Sequence, residues 1–125
     1  MMNKILIFDD DEVIRLLYKE ALSEEGYDVI CSGDASRCME MIREHSPNVV
    51  VVDEKVGRHD GVDVLRKIRG QFPALPLVLC IAYPYYGLNK NSGIVDFHVT
   101  KTSDMKDLEE KISAAIALRE GKHVS

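Results

Sequence analysis

Short apolar runs alternate along this chain with longer stretches whose apolar residues recur at helical spacing. Lys4 to Phe8 is a run of β-formers ending at Asp9 and Asp10. From Asp11 to Glu25, residues Ile14, Leu17, Tyr18, Ala21 and Leu22 share one face, which predicts an amphipathic helix closed by Gly26. Tyr27 to Cys31 predicts a second strand. Asp34 is placed to cap a helix through Glu44, with Cys38, Met41 and Ile42 inward, and Ser46-Pro47 stops it. Four consecutive valines, Val49 to Val52, have the pattern of a strand buried on both faces and end at Asp53. After a loop, Asp60 can cap a third helix whose stripe is Val64, Leu65, Ile68 and Phe72. Leu75 to Ala82, approached through Pro73 and Pro76, predicts a fourth strand. Val95 to Thr100 predicts a fifth, and Ser103 is placed to cap a last helix with Met105, Leu108, Ile112, Ala115 and Ile116 inward.

Strand and helix alternate, so the pattern predicts an α/β protein with a parallel sheet covered on both faces. Parallel strands need crossovers of about a dozen residues or more. The crossover at 83–94 barely reaches that length and is rich in turn formers (Pro84, Gly87, Asn89, Asn91, Ser92, Gly93), which predicts a short, irregular or missing helix. With 125 residues and no internal repeat or linker, one domain over 1–125 is expected. The net charge of −5 opposes a nucleic-acid partner. No apolar run is long enough to cross a bilayer, and the short one near the N-terminus runs into acids rather than a cleavage site, so a cytoplasmic chain is expected. The three cysteines, Cys31, Cys38 and Cys80, match no metal spacing, and neither do His45, His59, His98 and His123; the cysteines read as small buried side chains and most of the histidines as surface or loop residues.

The chemistry gathers where strands end. In an open α/β sheet, ligands bind beyond the carboxyl ends of the strands. The first strand ends in Asp9-Asp10, the third in Asp53 and the fifth in Lys101. Two carboxylates at about 4 Å, at an effective dielectric of about 20, repel by about 4 kcal/mol. Such a group holds either protons or a cation. Hard carboxylate oxygens on a rim open to water suit Mg2+, and a charge-compensated aspartate is a competent nucleophile toward phosphorus. Taken singly, an Asp after a strand is a turn or cap residue and a lone Lys is solvated; it is their conjunction that points to function.

These residues carry a resemblance. Lys4-Ile5-Leu6-Ile7-Phe8 with Asp9-Asp10-Asp11, Val49-Val50-Val51-Val52-Asp53, Asp60-Gly61, Ala74-Leu75-Pro76-Leu77-Val78 and Lys101, with Arg15 where a basic residue is common, resemble the response-regulator receiver family of bacterial two-component systems. The resemblance covers essentially the whole chain and is of the single-domain type. It implies a doubly wound five-stranded parallel sheet, flavodoxin-like (CheY-like), in the order 2-1-3-4-5. It implies that Asp53 takes a phosphoryl group from a phosphohistidine on a histidine kinase or phosphotransfer protein. Asp10, Asp53 and the backbone carbonyl of Lys55 would hold Mg2+, Asp9 would act through water, and Lys101 would contact the phosphoryl oxygens. The chain would be a switch rather than an enzyme, with output through contact with an unknown downstream protein.

Three positions depart from the family pattern. Ile81 stands where a Ser or Thr hydroxyl normally meets the phosphoryl group, so the usual switch, in which an aromatic ring follows that hydroxyl, loses its driver; His98 occupies the ring position. Lys101 precedes Thr102 rather than proline, which predicts a trans bond. Gly57 stands where proline is common, and Tyr85 and Tyr86 lie in the altered crossover. The main alternative is a phosphorylation-independent pseudo-receiver, a protein-docking module; Ile81 favours it, while the intact acids and Lys101 oppose it. A flavodoxin-like electron carrier is opposed by the acidic run Asp9-Asp10-Asp11-Glu12, which repels a phosphate. An aspartyl-phosphate hydrolase is opposed by Lys55, where an acid/base aspartate is needed. Lys55 and Tyr83 flank the proposed site.

Overall fold

A computed structural model describes residues 2–82, 94–101 and 105–121. The expectations for a short fourth helix, for Tyr83, Tyr85 and Tyr86, for the Lys101–Thr102 bond, for the Ser103 cap and for His123 fall outside those residues. Among the described residues the elements run β1 (Lys4–Phe8), α1 (Glu12–Glu24), β2 (Asp28–Ser32), a 3-10 turn (Ala35–Arg37), α2 (Cys38–His45), β3 (Val49–Asp53), β4 (Lys55–Val56), β5 (His59–Asp60), α3 (Gly61–Gln71), β6 (Leu77–Ile81), β7 (Phe97–Thr100) and α4 (Lys106–Arg119).

β1, β2, β3, β6 and β7 form one sheet in the order β2-β1-β3-β6-β7, and each neighbouring pair is parallel. This is the expected 2-1-3-4-5 order, with β6 and β7 as the fourth and fifth long strands. Side chains alternate across a strand, and that alternation splits the core in two. Leu6, Phe8, Val50, Val52, Leu77, Leu79 and Ile81 pack with Cys38 and Ile42 of α2 and Val64, Leu65 and Ile68 of α3. Ile5, Ile7, Val49, Val51, Val78, Cys80 and Val99 pack with Tyr18 and Leu22 of α1 and Leu108, Ile112 and Ala115 of α4. The valine run is buried throughout because both faces of β3 are covered.

Several local expectations are corrected. Leu17 was expected inward but is 52% exposed, as are Val13 and Leu16 at 63% each. Tyr18 and Leu22 already fill the contact with the sheet, and Leu17 falls at the edge of that stripe. β2 runs one residue later than predicted, while β6 and β7 are shorter than their apolar runs. Pro76 lacks the N–H a strand requires, so β6 begins after it. Asp34 accepts from the Ser36 N–H and caps the 3-10 turn that leads into α2 rather than α2 itself. The loop after β3 contains an antiparallel pair, β4 with β5, that periodicity could not show in two-residue strands. α4 begins at Lys106, with Met105 at its cap position.

α3 starts as read: the Asp60 carboxylate accepts from the N–H groups of Val62 and Asp63. Its first residue is pressed against β3. The Gly61 N–H donates to the Glu54 carbonyl at 2.8 Å, and a Cβ at Gly61 would lie 2.0 Å from the Asp53 carbonyl oxygen. Gly61→Ala must therefore push the helix away from the strand that carries Asp53. The expected loss is about 3 kcal/mol, the upper part of the usual overpacking range, read as a lower urea midpoint at unchanged slope. An unchanged midpoint would show that α3 does not depend on this close approach.

Candidate functional site

The sheet's hydrogen-bond ladders continue one residue past the strands at the carboxyl rim, and this fixes the residues found there. The Asp9 N–H donates to the Ser32 carbonyl at 3.1 Å, the Glu54 N–H to Cys80 at 2.9 Å and the Lys101 N–H to Ile81 at 2.7 Å. Asp9 and Asp53 are buried, at 1% and 8% exposure, while Asp10 faces solvent. One carboxylate oxygen from each of Asp9, Asp10 and Asp53 lies within 4.8 Å of the others. The Lys101 Nζ reaches between the two buried acids, 3.1 Å from Asp53 Oδ1 and 3.3 Å from Asp9 Oδ2. The structure thus brings together Asp9, Asp10, Asp53 and Lys101 from the ends of three strands.

Neighbouring residues hold these groups in place. Asp9 Oδ1 accepts the Asp11 N–H at 2.9 Å, so both Asp9 oxygens are engaged. Asp11, the third acid of the run, is the α1 cap and accepts from Val13 and Ile14. Asp10 Oδ2 accepts the Gly57 N–H at 2.9 Å. Arg15 donates through Nη1 to the Asp9 carbonyl oxygen at 2.7 Å, and Glu54 accepts the Ala82 N–H at 3.0 Å. Sequence reasoning noted Arg15 only as a basic residue and gave Glu54 no role. Such side-chain contacts to backbone leave no periodic signal. The one available clue to the Gly57 contact was the missing proline, since only a residue with an N–H can donate.

Electrostatics follow from this crowding. Burial, then the neighbouring charge of Asp9, pushes the Asp53 carboxyl above the usual range, although Lys101 pulls the other way. Burial alone would depress the Lys101 ammonium. Its hydrogen bond to Asp53 and the charges of Asp53 and Asp9 outweigh that in sum and hold it above its ordinary value. Burial, reinforced by charges including Asp53 and Asp9, raises the Tyr18 phenol and the Cys80 thiol, so both stay neutral beside the pocket. Three carboxylates face one ammonium, and the remaining charge is what a divalent cation offsets. Hard oxygens, one of them on a solvent-facing residue, fit Mg2+, which keeps several waters and takes few protein ligands.

The two switch positions are also placed. Ile81 is 1% exposed and packs into the core on the α2–α3 face, with no hydroxyl to offer the pocket. His98 lies in β7, within the predicted fifth strand, paired in register with Leu79. It is partly buried, and its Nε2 is enclosed without a hydrogen-bond partner among the described residues. Burial pushes this imidazole down, toward the neutral form. A groove of about 570 Å³, lined by Ile42, Arg43, Pro47, Phe72, Leu75 and Arg119 among others, opens at the opposite end of the strands, away from the carboxylates.

Sheet order and acidic rim together define a CheY-like receiver fold. Residues 5–113 match the response regulator receiver domain family, and the chain belongs to that family. It is similar to the response regulator protein TrrA from Thermotoga maritima, solved in complex with Mg2+-BeF. The two are 28% identical with a TM-score of 0.84, over 91% of this chain and 99% of that one. It is also similar to a CheY-like receiver domain protein from Methanospirillum hungatei, at 26% identity and a TM-score of 0.88, over 97% of this chain and 98% of that one. NtrX from Brucella abortus matches at 25% identity and a TM-score of 0.85, over 96% of this chain but 28% of that longer one. No helix among the described residues is long and apolar enough to cross a membrane.

The raised Asp53 carboxyl has a consequence for stability. The folded chain binds this proton more tightly than the unfolded chain, so the contribution is present below the ordinary carboxylate range and is lost as pH rises through the raised value. Without divalent cations, Asp53→Asn should therefore gain thermal stability relative to wild type as pH climbs from about 3 to about 7. Thermal unfolding in EDTA measures this. A gap between the two proteins that stays constant with pH would contradict it.

Proposed function

We propose that Asp53 is the phosphoacceptor of this receiver and that it takes its phosphoryl group from a phosphohistidine on a histidine kinase or phosphotransfer protein. The observation that carries this reading is the placement of the buried Asp53 carboxylate 3.1 Å from the Lys101 ammonium, with oxygens of Asp9 and Asp10 within 4.8 Å. Asp10, Asp53 and the Lys55 backbone carbonyl would hold Mg2+ directly. Asp9, whose two oxygens are already engaged, is suited to act through a water. The Mg2+-BeF bound to TrrA supports the assignment by analogy.

In the transfer, an Asp53 carboxylate oxygen bonds to phosphorus as the bond from phosphorus to the imidazole nitrogen breaks. The imidazole leaves with the electron pair and takes a proton from water. Mg2+, when bound, offsets the negative charge between the carboxylates and the arriving phosphoryl oxygens. Lys101 presents a fixed ammonium to those oxygens, an arrangement that stabilises charge where it develops. Asp53 needs no deprotonation by a neighbour once its charge is balanced, and a receiver of this kind is a switch rather than a turnover enzyme.

Ile81 bears on the second half of that function. A hydroxyl there would donate to a phosphoryl oxygen, a hydrogen bond to a charged group worth about 1.5–3 kcal/mol; Ile81 cannot donate, and it is locked into the core. The switch is therefore atypical, and the same observation favours the second reading, a docking module that acts without phosphorylation. Mass spectrometry after incubation with a small phosphodonor and Mg2+ separates the two. A single added phosphoryl group is expected on wild type and none on Asp53→Asn. Lys101→Ala should be labelled about ten- to a hundredfold more slowly, given the strength of a charge-assisted contact. No label on wild type, under conditions that label another receiver, would support the docking module instead.

A further inference from the structure

Asp10 differs from the other two acids of the site. Asp9 and Asp53 are buried and share the Lys101 ammonium. Asp10 is exposed, and an exposed carboxylate is free to turn away from the cluster unless something restrains it. Its partner is the backbone N–H of Gly57, which donates to Asp10 Oδ2 at 2.9 Å across 47 positions of sequence. Gly57 lies between β4 and β5, in the two-residue turn that follows Lys55–Val56. It has φ +61°, the left-handed conformation that glycine adopts without cost. Space does not demand the glycine, because a Cβ there would meet nothing within 4 Å. The backbone conformation demands it, and the donor it carries is one that proline lacks.

We propose that Gly57 is a positioning residue for the cation site. Its N–H holds the Asp10 carboxylate toward the β4–β5 hairpin, so that a ligand on the β1–α1 loop and the hairpin after β3 present themselves together. A carboxylate has about four acceptor positions, so an oxygen that accepts this N–H can still face a metal. The inference rests on the Asp53-centred reading above and deepens it. It assigns the ordering of Asp10 to a backbone donor rather than to Lys101, and predicts that the site is preformed before the cation arrives.

Calorimetric titration with Mg2+ tests this on three proteins. Gly57→Asn keeps the N–H, and asparagine tolerates the left-handed conformation. Gly57→Pro removes the N–H and cannot adopt that φ. Gly57→Pro should bind Mg2+ about tenfold more weakly than wild type, and Gly57→Asn should stay within about threefold of wild type. Equal affinity in Gly57→Pro and wild type would overturn the proposal. So would equal weakening in Gly57→Pro and Gly57→Asn, because the asparagine variant keeps the donor and its loss could not then be the cause. Hydrogen exchange of the Gly57 amide in metal-free protein decides the matter if the proline variant does not fold. Protection in wild type that is lost in Asp10→Ala supports the assignment, and an amide unprotected in wild type overturns it. Wild type that fails to bind Mg2+ at all would defeat the Asp53-centred reading as well, which keeps the two failures distinct.

Discussion

Repulsion among carboxylates is the constraint around which this rim is built. β1 and β3 are adjacent and parallel, so the residues that follow Phe8 and Val52 are forced into proximity. Burial of Asp9 and Asp53 removes the water that would screen them, and the cost is visible in the raised Asp53 carboxyl. Lys101 offsets part of that cost from the end of β7, two strands away from β3. The remaining imbalance is of the sign and size that a divalent cation would offset. The close contact of Gly61 with the Asp53 carbonyl and the bond from Arg15 to the Asp9 carbonyl keep the acids from relaxing apart.

The acids of the site were legible because topology does the work of bringing them together. Once strand and helix alternate, Asp9, Asp10, Asp53 and Lys101 must share one edge of the sheet, whatever the loops do. Asp60 was legible for a different reason: a cap is local, and an aspartate ahead of a helical stripe has few other roles. Asp11 shows the limit of reading by residue type. It stands in the same acidic run, yet its side chain caps α1 and does not join the cluster. The β4–β5 pair and the Asp10–Gly57 bond were not legible, since each depends on how two distant backbone segments meet. Leu17 was misread because helical spacing marks a face but not how much of that face the sheet covers.

The acidic pocket is intact in this chain, while the position beside it that carries a hydroxyl in the family pattern is not. Its acids and Lys101 are all placed, while Ile81 is sealed into the α2–α3 side of the core and offers nothing that could follow a phosphoryl oxygen. His98 stands in the strand beside β6 with its Nε2 enclosed and without a partner among the described residues. Between the rim and these strands stands the Lys101 N–H bond to the Ile81 carbonyl, with no side-chain hydroxyl at that position.

A residue-resolved NMR titration, first with Mg2+ and then with beryllofluoride, probes the central claim most directly. If the convergent carboxylates form one cation-bearing pocket, amides of Asp9, Asp10 and residues 53–57 shift with Mg2+ and the same set, joined by Lys101, shifts again with beryllofluoride. Spectra that are unchanged by both additions, or changes confined to residues remote from the rim, would contradict the account.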